Sequence, residues 1–165
     1  MSNYRGHVFG ALAFSLIYLS VLALGFAVDL IPDDREIFSG FMFPISLVGL
    51  AVLFGLWPDV DTNSKGQNIF YSIFFVADII LISQEQFEQA AYLGLLAMLP
   101  VLSKHRGWTH ARISAFIIPL PFLVLPYIYN STDPWNGLPY YGAAVIGYIS
   151  HLWFDGILFK RKKKR

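Results

Sequence analysis

The 165-residue chain contains no cysteine. That excludes disulfide bridges and thiolate metal sites, and it leaves the redox compartment open. Charge is scarce as well: 14% of residues are charged, against 56% that are hydrophobic. With a mean hydropathy of +0.54, a soluble domain of this length would have more apolar surface than it could hide. Lipid must therefore cover part of it. Two catalytic signatures are also missing. No H-E-x-x-H run marks a zincin, and no G-x-S-x-G elbow marks a serine hydrolase.

Long apolar runs fill the space instead. A crossing needs roughly 20 mostly apolar residues, and Val8–Val28 and Phe38–Trp57 both qualify. So does Ile113–Tyr129, which Pro119, Pro121 and Pro126 should kink. Tyr140–Phe159 is a further span, unusual for enclosing His151 and Asp155. Two shorter runs, Ile69–Ser83 and Ala90–Leu102, are joined by the polar stretch Gln84–Gln89. Whether they cross fully or lie buried as a pair, the chain enters and returns between them. The expectation is an all-α polytopic membrane protein with about six membrane-embedded helices in one bundle. Residues 1–159 form a single transmembrane domain, followed by a basic cytoplasmic tail over 160–165. The first span is too long for a signal peptide, runs into the acidic turn at Asp29, Asp33, Asp34 and Glu36, and lacks a small-residue cleavage site.

Lys and Arg set the orientation. Arg5, Lys65, Lys104, Arg106, Arg112 and the tail Lys160–Arg165 fall on one side, 11 of the 12 basic residues, and Arg35 alone on the other. Both termini are then cytoplasmic. The tail locks topology and attracts anionic lipid at roughly 1 kcal/mol per residue; nucleic acid is not an expected partner.

This topology brings all four histidines to one face. His7 begins the first span, His105 and His110 occupy a cytoplasmic loop, and His151 lies in the last span with Asp155 four residues on. Residues at i and i+4 share a helix face, so that pair can meet one metal. Burying an ionisable group in a span costs roughly 2.5–3.5 kcal/mol, and a bound cation would compensate it. Pro58 stops a helix and presents Asp59 and Asp61 as oxygen ligands. Gly107 allows a turn that brings His105 and His110 together.

So many imidazoles and carboxylates exceed what one tetrahedral zinc requires, and suit one or two divalent ions, Zn with Mn or Fe as alternatives. Asp61 is a candidate general base, and Arg106 a candidate phosphate clamp. Asp78 reads as an internal partner for a polar group, and Trp57, Trp108 and Trp153 as interfacial aromatics.

The run of motifs Gly6-His7, Pro58-Asp59-Val60-Asp61, His105 to His110, and Gly147 to Asp155 resembles the YdjM-like family of prokaryotic membrane-bound metal-dependent hydrolases. The resemblance covers residues 6 to 155. It implies a multi-helix inner-membrane protein, distantly similar to the zinc-dependent phospholipase C and nuclease group. It also implies metal ligands among His7, Asp59, Asp61, His105, His110, His151 and Asp155. Two positions depart from the family pattern: Thr62 stands where His is frequent, and Ala111 where Ser is usual. Lipid phosphatases of the phosphatidic-acid type share the His-x-x-x-Asp ending, but their Pro-Ser-Gly-His segment is absent.

The leading expectation is a hydrolase that uses metal-activated water on a phospholipid or lipid-linked phosphoester at the cytoplasmic face. A proton- or metal-coupled transporter and a non-catalytic protein with a structural metal site are the alternatives.

Overall fold

The computed structural model describes residues 4–28, 30, 40–60, 65–99, 108–130 and 136–158. Every regular element in them is helical: α1 (Tyr4–Ala27), α2 (Met42–Leu56), α3 (Lys65–Ser83), α4 (Phe87–Met98), α5 (Ser114–Ile117), α6 (Pro121–Asn130) and α7 (Leu138–Phe154). Two short 3-10 turns, Trp57–Asp59 and Trp108–His110, complete the set. Asp61, His105, Arg106, Gly107 and the tail from Lys160 lie outside the described residues.

Helix α1 shows why this chain needs lipid. Its buried positions are His7, Gly10, Ala11, Ser15, Leu22 and Gly25, which share one helix face and are mostly small. Its outward residues are large and apolar, with Phe9 70% and Leu24 63% exposed. A soluble helix does the reverse. Small residues inward let backbones approach, which is how helices associate where lipid removes the hydrophobic drive.

Helices α1, α2 and α7 form the centre. Leu22, Phe43, Leu47 and Ala143 cluster at one end, and Phe54, Trp57, Tyr148 and Leu152 at the other. So α2 and α7 run parallel, with α1 antiparallel to both. The closest approach is at Gly147, where a methyl would lie 2.7 Å from Ala51 Cα. Gly55 is nearly as tight, a methyl there meeting the Ala11 Cβ at 2.8 Å. Helices α3 and α4 make a hairpin against α2, and α6 lies along α7.

Three helical stretches are long and apolar enough to cross a membrane: Tyr4–Ala27, Met42–Asp59 and Gly66–Ser83. The expected six are not matched by six such helices among the described residues. Helix α4 has 12 residues, about 18 Å at 1.5 Å each and short of a 30 Å core. The expected Ile113–Tyr129 span breaks after Ile117, and Pro121 restarts it as the first residue of α6. Only Pro126 stays inside a helix.

Helix α7 also ends earlier than expected, at Phe154 instead of Phe159. Gly156 adopts φ 67°, and the Gly156 and Ile157 amides donate to the Trp153 and Leu152 carbonyls at 2.8 and 2.9 Å. This is a Schellman stop, which requires a left-handed residue that glycine supplies. The α3–α4 turn is tighter than the Gln84–Gln89 stretch expected, spanning only Gln84–Gln86. It closes the same way with Glu85 at φ 61°.

Candidate metal centre

The three central helices converge on one end: the start of α1, the 3-10 turn after α2, and the end of α7. His7 is in the first turn of α1. Asp59 closes the turn that Pro58 begins, since a proline is tolerated only at the opening of such a turn. His151 lies in the last turn of α7, and Asp155 is its C-cap, four residues on as the spacing requires. Asp155 is therefore not inside the helix, as expected, but at its rim.

The turn Trp108–His110 brings the fourth group. Tyr148 on α7 donates its hydroxyl to the Thr109 carbonyl, and Ser114 donates to that of Trp108. Both anchor the turn so that His110 faces Asp59. Arg112 extends the clamp by donating to the Ile157 carbonyl at 3.0 Å.

The contacts are close but longer than ordinary hydrogen bonds. His110 Nε2 is 3.4 Å from Asp59 Oδ1, and His151 Nε2 is 3.7 Å from the same atom. His7 Nε2 is 3.7 Å from Asp59 Oδ2 and 3.6 Å from Asp155 Oδ1. His151 Nε2 to Asp155 Oδ2 is 3.8 Å. N–H···O bonds run about 2.7–3.2 Å. Two ligands about 2.0–2.2 Å from a shared ion at a tetrahedral angle stand about 3.3–3.6 Å apart. The observed 3.4–3.8 Å lies at or just beyond that range, a spacing an intervening cation can span with a small contraction.

Burial strengthens that reading. His7 is 1% exposed, the Asp155 side chain 4%, and Asp59 24%. Nδ1 and Nε2 of His7, Nε2 of His151 and Oδ1 of Asp155 are buried without a hydrogen-bond partner among the described residues. An orphaned buried polar atom costs roughly 1–3 kcal/mol, so several in one place call for a ligand. One ligand atom each from Asp59, His110, His151 and Asp155 lies within 4.8 Å of all the others.

His151 is also correctly prepared. Its Nδ1 is 2.9 Å from the Gly55 carbonyl oxygen. A carbonyl can only accept, so Nδ1 carries the proton and the Nε2 lone pair points into the cluster. Helices α2 and α7 both present their C-terminal ends here, where the macrodipole favours a cation and disfavours bare carboxylates.

Of the sequence-expected ligands, the structure thus gathers His7, Asp59, His110, His151 and Asp155. Two other expectations are corrected. Trp57 is not interfacial: it is fully buried, stacked on Phe54 at 5.4 Å with Phe70 at its edge. Trp108 and Trp153 are exposed as expected. Asp78 does not pair through Oδ1, which is buried with no hydrogen-bond partner among the described residues; the side chain lies against Gly94 of α4. Sequence reasoning missed the Gly55 carbonyl, which carries no side-chain signal, and Tyr148, which reads as one more membrane aromatic.

A family model for the YdjM inner membrane protein matches residues 3–159. No curated protein and no solved structure matches the chain. The chain belongs to the YdjM inner membrane protein family.

Proposed function

We propose that this inner-membrane family member is a metal-dependent hydrolase that cleaves a phosphoester, on a phospholipid or lipid-linked head group, at the cytoplasmic face. The observation that carries the reading is the set of buried, unpartnered nitrogen and oxygen atoms of His7, His151 and Asp155 gathered around Asp59. With imidazole and carboxylate donors and no thiolate, the set fits Zn, Mn or Fe. A bound ion of this kind lowers the pKa of its water and supplies hydroxide near neutral pH.

The protein's own part is positioning and access. Gly55 fixes the His151 tautomer, and Tyr148 and Ser114 hold the His110 turn. Asp59 is the most exposed carboxylate of the cluster, so the site opens on its side. An open side favours catalysis over a structural clip, whose coordination is closed. Asp61 is proposed as general base and Arg106 as phosphate clamp. His105 is proposed to complete the ligand shell; a ligand role for Asp61 is the alternative to its role as base.

The cytoplasmic placement rests on the count of Lys and Arg, which puts both termini inside the cell. We also infer six membrane-embedded helices within residues 1–159, with α4 and α5–α6 partly buried against full spans. Exposed Trp108 and Trp153 each lie two residues from a ligand, and exposed tryptophans suit the level of lipid head groups. That favours a lipid over a soluble ester.

The test is hydrolysis of defined phospholipids, read as released alcohol and phosphomonoester (or phosphate from a lipid phosphomonoester), by the detergent-purified chain, with and without added Zn or Mn, beside His151→Ala. Metal-dependent release that the variant lacks supports the proposal. Stoichiometric metal with no turnover on any phosphoester favours the structural-site alternative. A metal-linked flux through vesicles favours the transporter.

A further inference from the structure

The two carboxylates of the cluster each turn their oxygens to different histidines. Asp59 directs Oδ1 toward His110 and His151, and Oδ2 toward His7. Asp155 directs Oδ2 toward His151 and Oδ1 toward His7. The nearest contacts thus sort into two sets. One is His110 Nε2, His151 Nε2, Asp59 Oδ1 and Asp155 Oδ2. The other is His7 Nε2, Asp59 Oδ2 and Asp155 Oδ1.

We propose that the cluster is a two-ion centre in which Asp59 and Asp155 bridge, with His110 and His151 on one ion and His7 on the other. The proposal rests on the metal-binding reading above, and it goes further by fixing the number of ions and dividing the ligands.

Three observations carry it. The first is the donor count. A tetrahedral ion takes four ligands, and the compact group of Asp59, His110, His151 and Asp155 supplies them. His7 is then left over, although it is 1% exposed and both its ring nitrogens lack a hydrogen-bond partner among the described residues. A desolvated imidazole aimed at two carboxylate oxygens needs something between. The second is the stacking of His7 on His151, with ring centroids 4.0 Å apart and planes within 18°. Paired ions in hydrolytic sites stand roughly 3.5–4 Å apart, so parallel imidazoles at this spacing can each serve their own ion. The third is charge. The buried Asp155 and the partly exposed Asp59 lie together beside the C-terminal ends of α2 and α7, where negative charge calls for cations that neutral imidazoles do not supply.

The His7 ion has three ligands among the described residues and the His110/His151 ion has four. The His7 ion therefore has the shorter ligand set, which leaves a coordination position for water. Two cations at this spacing match a phosphate ester, whose attacking and leaving oxygens lie on opposite sides of one phosphorus.

The full chain in detergent decides the matter. It is stripped with chelator, reloaded with Mn(II) to saturation and desalted, and then read by elemental analysis and electron paramagnetic resonance. The expected wild type holds about two ions per chain and gives the spectrum of an exchange-coupled pair. His7→Ala is expected to hold half as much metal and to give the spectrum of an isolated ion. His7→Gln, which keeps more of the side-chain volume, should do the same if the alanine variant proves unstable. A saturated wild type with a single uncoupled ion overturns the two-ion centre while leaving a metal-dependent enzyme intact. So does full metal retention in both His7 variants. A wild type that binds no Mn(II), Zn(II) or Fe(II) overturns both.

Discussion

Enlarging Gly147 should disable the site without touching a ligand. A methyl there lies 2.7 Å from Ala51 Cα and closer still to the Ala51 carbonyl oxygen. Carbon–carbon contacts settle near 3.5 Å, so α7 must retreat from α2 by at least about 0.8 Å. His151 is one turn further along α7, and its Nδ1 is held by Gly55 on α2 at 2.9 Å. The same retreat stretches that bond toward 3.7 Å, beyond hydrogen-bonding range. Overpacking of this kind costs about 1–3 kcal/mol, and losing a ligand's orienting partner costs roughly 10–100-fold in metal affinity.

Alanine also gains helix propensity over glycine, about 1 kcal/mol, which would mask part of the clash. Gly49 on α2 supplies the control, because nothing lies within 4 Å of a methyl there. The propensity gain is common to both variants, so their difference isolates the steric effect. Thermal unfolding in detergent should place Gly147→Ala about 1–3 kcal/mol below Gly49→Ala. Metal titration should show weakened binding in the first variant alone. Equal stability and equal affinity in the two would refute the packing argument.

Three further outcomes are expected. Tyr148→Phe leaves the buried Thr109 carbonyl without its donor, so stability should fall by about 1–3 kcal/mol and metal affinity should fall with it; an unchanged unfolding midpoint would show that the turn is held otherwise. Chelation should lower the unfolding midpoint of the wild type, since free metal at about 100 times Kd contributes about 2.7 kcal/mol, and Asp155→Ala should no longer respond to chelator. Glu85→Gly should raise stability by about 1 kcal/mol, because Glu85 sits at φ 61°, where a side chain is strained; a lower midpoint would place that turn in another conformation.

The candidate site was largely legible because burial of charge is expensive. His151 and Asp155 stand out inside an apolar run for that reason alone, and counting Lys and Arg brings His7 and Asp59 to the same end. Pro58 announces the turn that carries Asp59. What could not be read is contact made by backbone. The Gly55 carbonyl orients His151 across 96 residues, and no residue type predicts which carbonyl a ring will find. Trp57 was misplaced because tryptophan suits both an interface and an apolar core, and only packing against Phe54 and Phe70 decides. The end of α7 was misjudged although Gly156 signals it, since hydropathy runs on through Ile157 and Leu158 after the helix has stopped. The number of crossings suffered likewise: apolar length says nothing of where Pro119 and Pro121 interrupt a helix.

The arrangement of α1, small residues inward and bulky ones outward, bears on how this chain can drift. On its outer face Phe9, Leu16 and Leu24 touch no neighbour tightly, and any apolar side chain of similar depth preference would serve. On its inner face Ala11 is fully buried against Gly55, and a methyl at Gly10 would meet the Phe154 ring. Most neutral change is thereby confined to the lipid-facing side, while the inner side can change only by simultaneous replacements on α2 or α7. A random library of this helix should therefore return survivors that differ widely outside and hardly at all inside, with the boundary between the two following the helical stripe from His7 to Gly25.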